Sequence, residues 1–334
     1  MKKLLVTTIG IISIILPQGA GNAITTSGDP NAPEYLVTPD RFTGVSRVSV
    51  SFPCTGTLLT GGSYVLTAAH CIAGSGGVLN QSLIGNTRVT FEPTEGTFSI
   101  PVTNFFVHPN YNGDIIQGND IAILELGNNA PANVEQYEIY RNSDEVGQIF
   151  TKVGYGQTGN GNEGAIFPGG AKRFGQNRYD SLGDLVIEPD NITPGSQLVF
   201  DFDNGNPAND AFGLHFGSRY ADTGLGQAEV TIASGDSGSP GFIGNLIASI
   251  GSAISTDAGQ FEDGEQADIN NVTDSTFGEF AIETRVSNYQ TFIDDVRGGR
   301  IAPVNSTPVP EPSSVLGLLT LGIFGAFSQL LRKQ

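Results

Sequence analysis

From residue 47 to residue 286 the chain repeatedly alternates apolar and polar positions at the two-residue period of a half-buried strand. Gly, Asn or Pro separates one run from the next. In the first half the runs are RVSVSF (47–52), YVLTAA (64–69), TRVTF (87–91), FSIPVTNFFV (98–107) and DIAILEL (120–126). In the second they are QIFTKVGYG (148–156), SQLVFDF (196–202), AEVTIA (228–233), NLIASIG (245–251) and FAIETRV (280–286). Many short strands with turn signals between them predict a β-sandwich or barrels. Only NYQTFIDDVR (288–297) has a helical pattern, with Tyr289, Phe292 and Val296 at i, i+3 and i+7. No internal repeat is visible.

Both ends break the pattern with long apolar runs. At the start, Lys2 and Lys3 precede an apolar run from Leu4 to Leu16, and Gly21 and Ala23 supply the small residues of a cleavage site. This predicts a signal peptide over 1–23, cut after Ala23; the run is too short to span a bilayer comfortably. At the other end, residues 301–314 are rich in Pro, Ser and Thr and read as a linker. Val315 to Leu331 is then apolar, closed by Arg332 and Lys333, which makes a transient membrane tether with a cytoplasmic basic end. VPEP, with Pro310, Glu311 and Pro312, followed by the apolar stretch and basic end, resembles the PEP-CTERM sorting signal of Gram-negative bacteria over 310–334. That resemblance implies an exosortase as partner, removal of the tail, and export to the periplasm, cell surface or extracellular matrix.

Composition narrows the partners. The 334 residues carry 34 acidic and 16 basic side chains, a formal charge of -18. Such a surface argues against nucleic acid and anionic lipid. Two cysteines, Cys54 and Cys71, in an exported chain suggest one disulfide, the alternative being two buried thiols. Closing a loop of that length contributes about 3 kcal/mol in the chain-entropy model.

The chemistry centres on GDSGSP, Gly235 to Pro240. With 45 glycines in the chain, Gly-Asp-Ser-Gly alone is weak evidence, and the case depends on the residues available to activate Ser237. A serine hydroxyl is a poor nucleophile until a base takes its proton, and histidine is the usual base. Only three are present: His70 in LTAAHC, His108 in VHPNY and His215 in GLHFGS. The base in turn needs an acid to hold its tautomer. Asp120, at the head of the apolar NDIAILEL, fits that role, the alternative being an exposed turn aspartate.

LTAAHC, NDIAILEL and GDSGSP, in that order, resemble the three signature segments of the trypsin-like (chymotrypsin-fold) serine proteases. VHPNY, VGYGQT (with Tyr155 where the family has Trp), TRVSNYQTFIDDV and CTGTLL resemble further stretches, so the likeness runs from about residue 45 to 297. It implies an all-β fold of two packed antiparallel barrels, 24–145 and 146–300, with the cleft between them and a short C-terminal helix closing the second. It also implies His70 as general base, Asp120 as its orienting acid and Ser237 as nucleophile. The N–H groups of Gly235 and Ser237 become the oxyanion hole, and Cys54 pairs with Cys71. Asp236 takes the place of the acid that binds a newly made α-amino group; cleavage after Ala23 makes Ile24 that group. ITTSG lacks the family's VGG, and Ile24 lies slightly farther from Cys54 than is usual. Thr231 falls at the base of the primary specificity pocket, and Ser249 and Gly251, around Ile250, fall on the strand that pairs with substrate. An uncharged pocket base suggests a small, apolar or polar residue before the scissile bond of a polypeptide substrate.

No cofactor is expected. DFDNGNPAND offers Asp201, Asp203 and Asp210 as possible calcium ligands, but it fails the helical calcium-loop pattern at Asn206 and Phe212, and Asx-rich turns are common without metal. The leading function is an exported serine endopeptidase. The alternative is a catalytically inactive protease-fold binding or matrix protein, which the sorting tail favours. An esterase of the α/β-hydrolase type does not suit the order His, Asp, Ser.

Overall fold

The first five alternating runs pair with one another and with one further strand, Pro53–Leu58. In the computed structural model, which describes residues 4–5, 24–188, 191–256 and 265–305, they close a barrel. Its strands run in the order Val45–Ser49, Pro53–Leu58, Tyr64–Thr67, Ala122–Leu126, Phe98–Val107 and Arg88–Phe91, all antiparallel. Residues 6–23 and 306–334 lie outside the described residues, and with them most of the expected signal peptide and the sorting residues Pro310, Glu311 and Pro312. Among the described residues no helix is long and apolar enough to cross a membrane.

The second half forms a barrel-like sheet of seven strands. Their order is Arg173–Arg178, Ile149–Gly154, Pro240–Ile243, Leu246–Ser255, Phe280–Arg285, Gln197–Asp201 and Ser181–Leu182. Between the two halves lies one apolar layer. The strand Ala122–Leu126 shows how alternation builds it. Ala122, Leu124 and Leu126 pack in the first barrel's core, while Ile121 and Ile123 pack with Val153, Phe242 and Ile250 of the second half. Apart from Glu125 the segment is apolar, because both its faces are covered.

The helix Gln290–Arg297 closes the same layer with Phe292, Ile293 and Val296. Eight residues are too few for a helix to persist alone. Burying those three side chains, at roughly 1.5–3 kcal/mol each, holds it in place.

Three elements depart from the expected arrangement. Ile24–Thr26 does not enter the first barrel: it lies parallel to Thr158–Asn160 and antiparallel to Val230–Thr231, in a four-stranded sheet of the second half. Leu36 bridges to Arg173, so the boundary of the first barrel falls after this crossing segment rather than at residue 24. The run 228–233 shrinks to the strand Val230–Thr231, and a short helix not expected from periodicity, Ala211–Phe216, is capped by the Asp210 side chain.

Candidate active site

His70 sits in the 3-10 turn Ala69–Cys71, directly after the strand Tyr64–Thr67. The Cys54–Cys71 disulfide, with Cα atoms 6.4 Å apart, ties that turn to the neighbouring strand Pro53–Leu58. The loop carrying Ser237 reaches the same place from the second half. Ser237 accepts the Thr55 N–H at its carbonyl (2.8 Å), and Gly235 accepts the Thr55 hydroxyl (3.1 Å). Glycine makes this approach possible. Gly238 has φ +80°, and a Cβ there would come within 2.2 Å of Thr67 Oγ1 and 2.3 Å of the Thr55 carbonyl.

The result is a continuous hydrogen-bonded chain. His70 Nε2 lies 2.7 Å from Ser237 Oγ, and His70 Nδ1 lies 2.7 Å from Asp120 Oδ2. Asp120 is fully buried and also accepts the His70 backbone N–H at Oδ1 (2.8 Å) and the Ser252 hydroxyl at Oδ2 (2.5 Å). Burial would lower the His70 pKa, but the Asp120 charge and hydrogen bond outweigh it and hold the imidazole above its ordinary 6.5. Burial likewise opposes ionisation of Asp120, but the His70 charge and the donors from His70 and Ser252 hold the carboxyl below 3.8. Neutral His70 next to ionised Asp120 is an arrangement able to take the Ser237 proton.

The other two histidines lie elsewhere. His108 packs edge-on against Tyr289 (5.0 Å) and Phe292 (5.1 Å), and burial pushes its pKa down to about 4. His215 is in the helix Ala211–Phe216.

Asp236 is also fully buried. Its oxygens accept the N–H groups of Gly156 (2.8 Å) and Ala233 (3.0 Å), and the Ile24 backbone N–H also favours its charged form. Burial pushes its pKa up to about 6 against these donors and nearby Lys152. Ile24 itself is fully buried at φ +61°, a conformation strained for a β-branched residue.

The substrate-side residues named from sequence fall differently. Thr231 is buried in the strand that pairs with Thr25. Ser249 is not at the site: its hydroxyl bonds to Glu283 and to Tyr179 (2.5 Å), inside the second half. Gly251 lies beneath the nucleophile loop, its N–H donating to the Ser239 carbonyl (2.8 Å) and its carbonyl accepting the Gly238 N–H (2.8 Å). Ser252, not Ser249, reaches Asp120. The pairing register of this strand shifts between Gly251 and Ala253, next to Ser252.

Three further residues escaped the sequence reading. Lys152 and Glu283, both fully buried, form an ion pair, and Lys152 Nζ also donates to the Ser239 carbonyl (2.8 Å) two residues past Ser237. Lysine, the one charged residue in IFTKVGYG, was the available signal. Phe52, 40% exposed, lies nearly parallel to the His70 ring at 6.3 Å.

Against known proteins, a family model described as Trypsin matches residues 37–167, and the PEP-CTERM protein-sorting motif matches 308–333. The first match includes His70 and Asp120 and stops before Ser237. The CLIP domain-containing serine protease HP8 of Bombyx mori is 42% identical over 94 residues, 25% of this chain and 25% of that protein. Ovochymase of Halocynthia roretzi is 36% identical over 75 residues, 22% of this chain and 5% of that protein. The alignments thus span a quarter or less of these curated relatives. Among solved structures, neuropsin, a serine protease expressed in the limbic system of mouse brain, aligns with a TM-score of 0.53 at 18% identity. The alignment covers 79% of this chain and 98% of neuropsin, a likeness of fold. The chain therefore has the two-barrel fold of the trypsin-like serine proteases, a family that needs no cofactor, and carries a PEP-CTERM sorting motif.

Proposed function

We propose that this protein is an exported serine endopeptidase that cleaves polypeptides through an acyl-enzyme on Ser237. The observation that carries this reading is the hydrogen-bonded run Ser237–His70–Asp120, with both contacts at 2.7 Å and the acid fully buried. Ser237 Oγ attacks the scissile carbonyl while His70 Nε2 takes its proton. The N–H groups of Gly235 and Ser237 stabilise the oxyanion, and the imidazolium, held by Asp120, protonates the leaving amine. Water then repeats the sequence and releases the acid. Export follows from the amino-terminal pattern and the sorting motif, with an exosortase acting on the tail. Thr231, uncharged at the expected pocket base, favours a small, apolar or polar residue before the scissile bond.

The α-amino group that pairs with Asp236 is that of Ile24, freed by signal peptidase. The Ile24 backbone N–H already lies on the Asp236 side and favours its charged form. Cleavage before Ile24 also removes the constraint that holds this residue at φ +61°.

The sorting motif favours one other reading, an inactive matrix or binding protein that keeps the fold. A fluorophosphonate probe separates the two. We expect an adduct on Ser237, located by mass spectrometry, that is lost in His70→Ala; folded protein beginning at Ile24 that forms no adduct is an inactive cleft. The pH profile gives a further check. The base must be neutral, and Asp120 raises the His70 pKa, so kcat/KM is expected to rise with pH on a limb whose midpoint lies above 6.5. A midpoint well below 6.5 would remove His70 as the base.

A further inference from the structure

A second group of ionisable side chains lies in the second half. Asp201 ends the strand Gln197–Asp201, Asp203 follows in the loop, and Asp210 caps the helix Ala211–Phe216. One carboxylate oxygen from each lies within 4.8 Å of the other two, and none of the three residues is more than 3% exposed. Calcium holds its oxygens at roughly 2.3–2.6 Å, so two ligands of one ion sit at most roughly 5 Å apart. The three carboxylates therefore fit one coordination shell.

Their surroundings supply direction but no opposite charge. Asp201 Oδ2 accepts the Phe212 N–H (2.9 Å), and Asp210 Oδ2 accepts the Asp222 N–H (3.1 Å). Among the described residues no ion pair reaches Asp201, Asp203 or Asp210; the nearby Arg178 pairs with Asp222 (2.5 Å). Two oxygens here are buried with no hydrogen-bond partner among the described residues, Asp203 Oδ1 and Glu229 Oε1, and Glu229 is fully buried. These side chains meet over Gly224, where a Cβ would come 2.7 Å from Asp203 Cβ and 3.1 Å from Glu229 Oε2. Glu229 Oε2 is fixed by the Leu225 N–H (2.6 Å), which leaves Oε1 unpartnered. Buried carboxylate oxygens without partners are costly unless a cation takes them up.

We propose that Asp201, Asp203 and Asp210 bind a calcium ion, with the Glu229 carboxylate at the edge of the site. The donors are all hard oxygens, with no imidazole or thiolate, which disfavours zinc and copper. Magnesium prefers to keep several waters, whereas a buried set of carboxylates suits the flexible, oxygen-rich shell of calcium.

The ion would tie the 201–229 segment to the seat of the amino terminus. The Glu229 carbonyl accepts the Ser27 N–H (3.0 Å), and Glu229 immediately precedes Val230–Thr231, which pairs with Ile24–Thr26. Asn177 Nδ2 bridges the carbonyls of Asp201 (2.8 Å) and Val230 (3.0 Å) across the same junction.

The test is calorimetric and thermal, and uses no activity readout, so it stands or falls independently of the peptidase reading. The purified protein is stripped with EDTA, then titrated with calcium chloride or magnesium chloride. We expect a heat of calcium binding at one site and a rise in Tm of about 5 °C or more at saturation. Magnesium should give a much smaller rise. Asp203→Asn should lose most of the calcium shift, yet be no less stable than the parent in EDTA, because it replaces a buried, unpartnered carboxyl with a neutral amide of the same shape. Equal Tm in calcium and EDTA with no heat of binding would overturn the proposal and leave a metal-free, protonated cluster. Retention of the full shift in Asp203→Asn would overturn the assignment to these residues, and an equal response to magnesium would overturn the assignment to calcium.

Discussion

Ser237→Ala and His70→Ala are each expected to lower kcat by about 10⁵–10⁶, and the double variant is expected to fall no further. The size follows from the geometry. Without the Oγ there is no acyl-enzyme, and without the imidazole 2.7 Å away the hydroxyl keeps its proton. Each substitution therefore removes the whole covalent route, about 7–8 kcal/mol of barrier lowering at roughly 1.36 kcal/mol per decade. The lack of additivity is the diagnostic part: two residues that act as one unit cannot be lost twice. The measurement is kcat on a chromogenic or fluorogenic peptide for the three variants. Losses that multiply, or a Ser237→Ala protein that keeps substantial turnover, would show that hydrolysis runs through some other group.

Protein beginning at Ile24 is expected to be about 10²–10⁴ times more active than the same chain with residues left in front of it. Asp236 lies in the interior at 0% exposure, beside the loop that carries Ser237. In the proposed activation a free ammonium on Ile24 pairs with Asp236 in the interior, and breaking such a buried pair costs about 3–5 kcal/mol because a charge is left unpaired. At roughly 1.36 kcal/mol per decade, that moves the population of the competent loop by the stated factor. Asp236→Asn should produce a loss of the same order in the cleaved protein. Active-site titration, with amino-terminal sequencing of each preparation, reads the result. Equal activity of the extended and cleaved forms, or an active species starting elsewhere, would remove Ile24 from this role.

Much of the architecture is legible in the chain itself. The two-residue period locates most of the long strands within a residue or two, and the apolar positions of 288–297 mark the closing helix. His70, Asp120 and Ser237 can be named from three short segments, because each has a fixed local neighbourhood and the chain has only three histidines. Cys54 and Cys71, as the only two cysteines, leave one intramolecular pairing. The crossing of Ile24–Thr26 to the second half is not legible: three residues carry no period, and their partners lie far along the chain.

What the sequence determines by itself is whatever depends on near neighbours: strand alternation, helix amphipathicity, turn glycines and the short motifs around reactive residues. Tertiary structure decides which long-range partner each polar group meets. It brings Ser252 to Asp120, 132 positions away, from a strand whose register shifts between Gly251 and Ala253. It joins Lys152 to Glu283, 131 positions apart, and brings Glu229 beside Asp203. A buried charge must find compensation somewhere in three dimensions, and the residue that supplies it follows from how strands stack and pair, not from its distance along the chain.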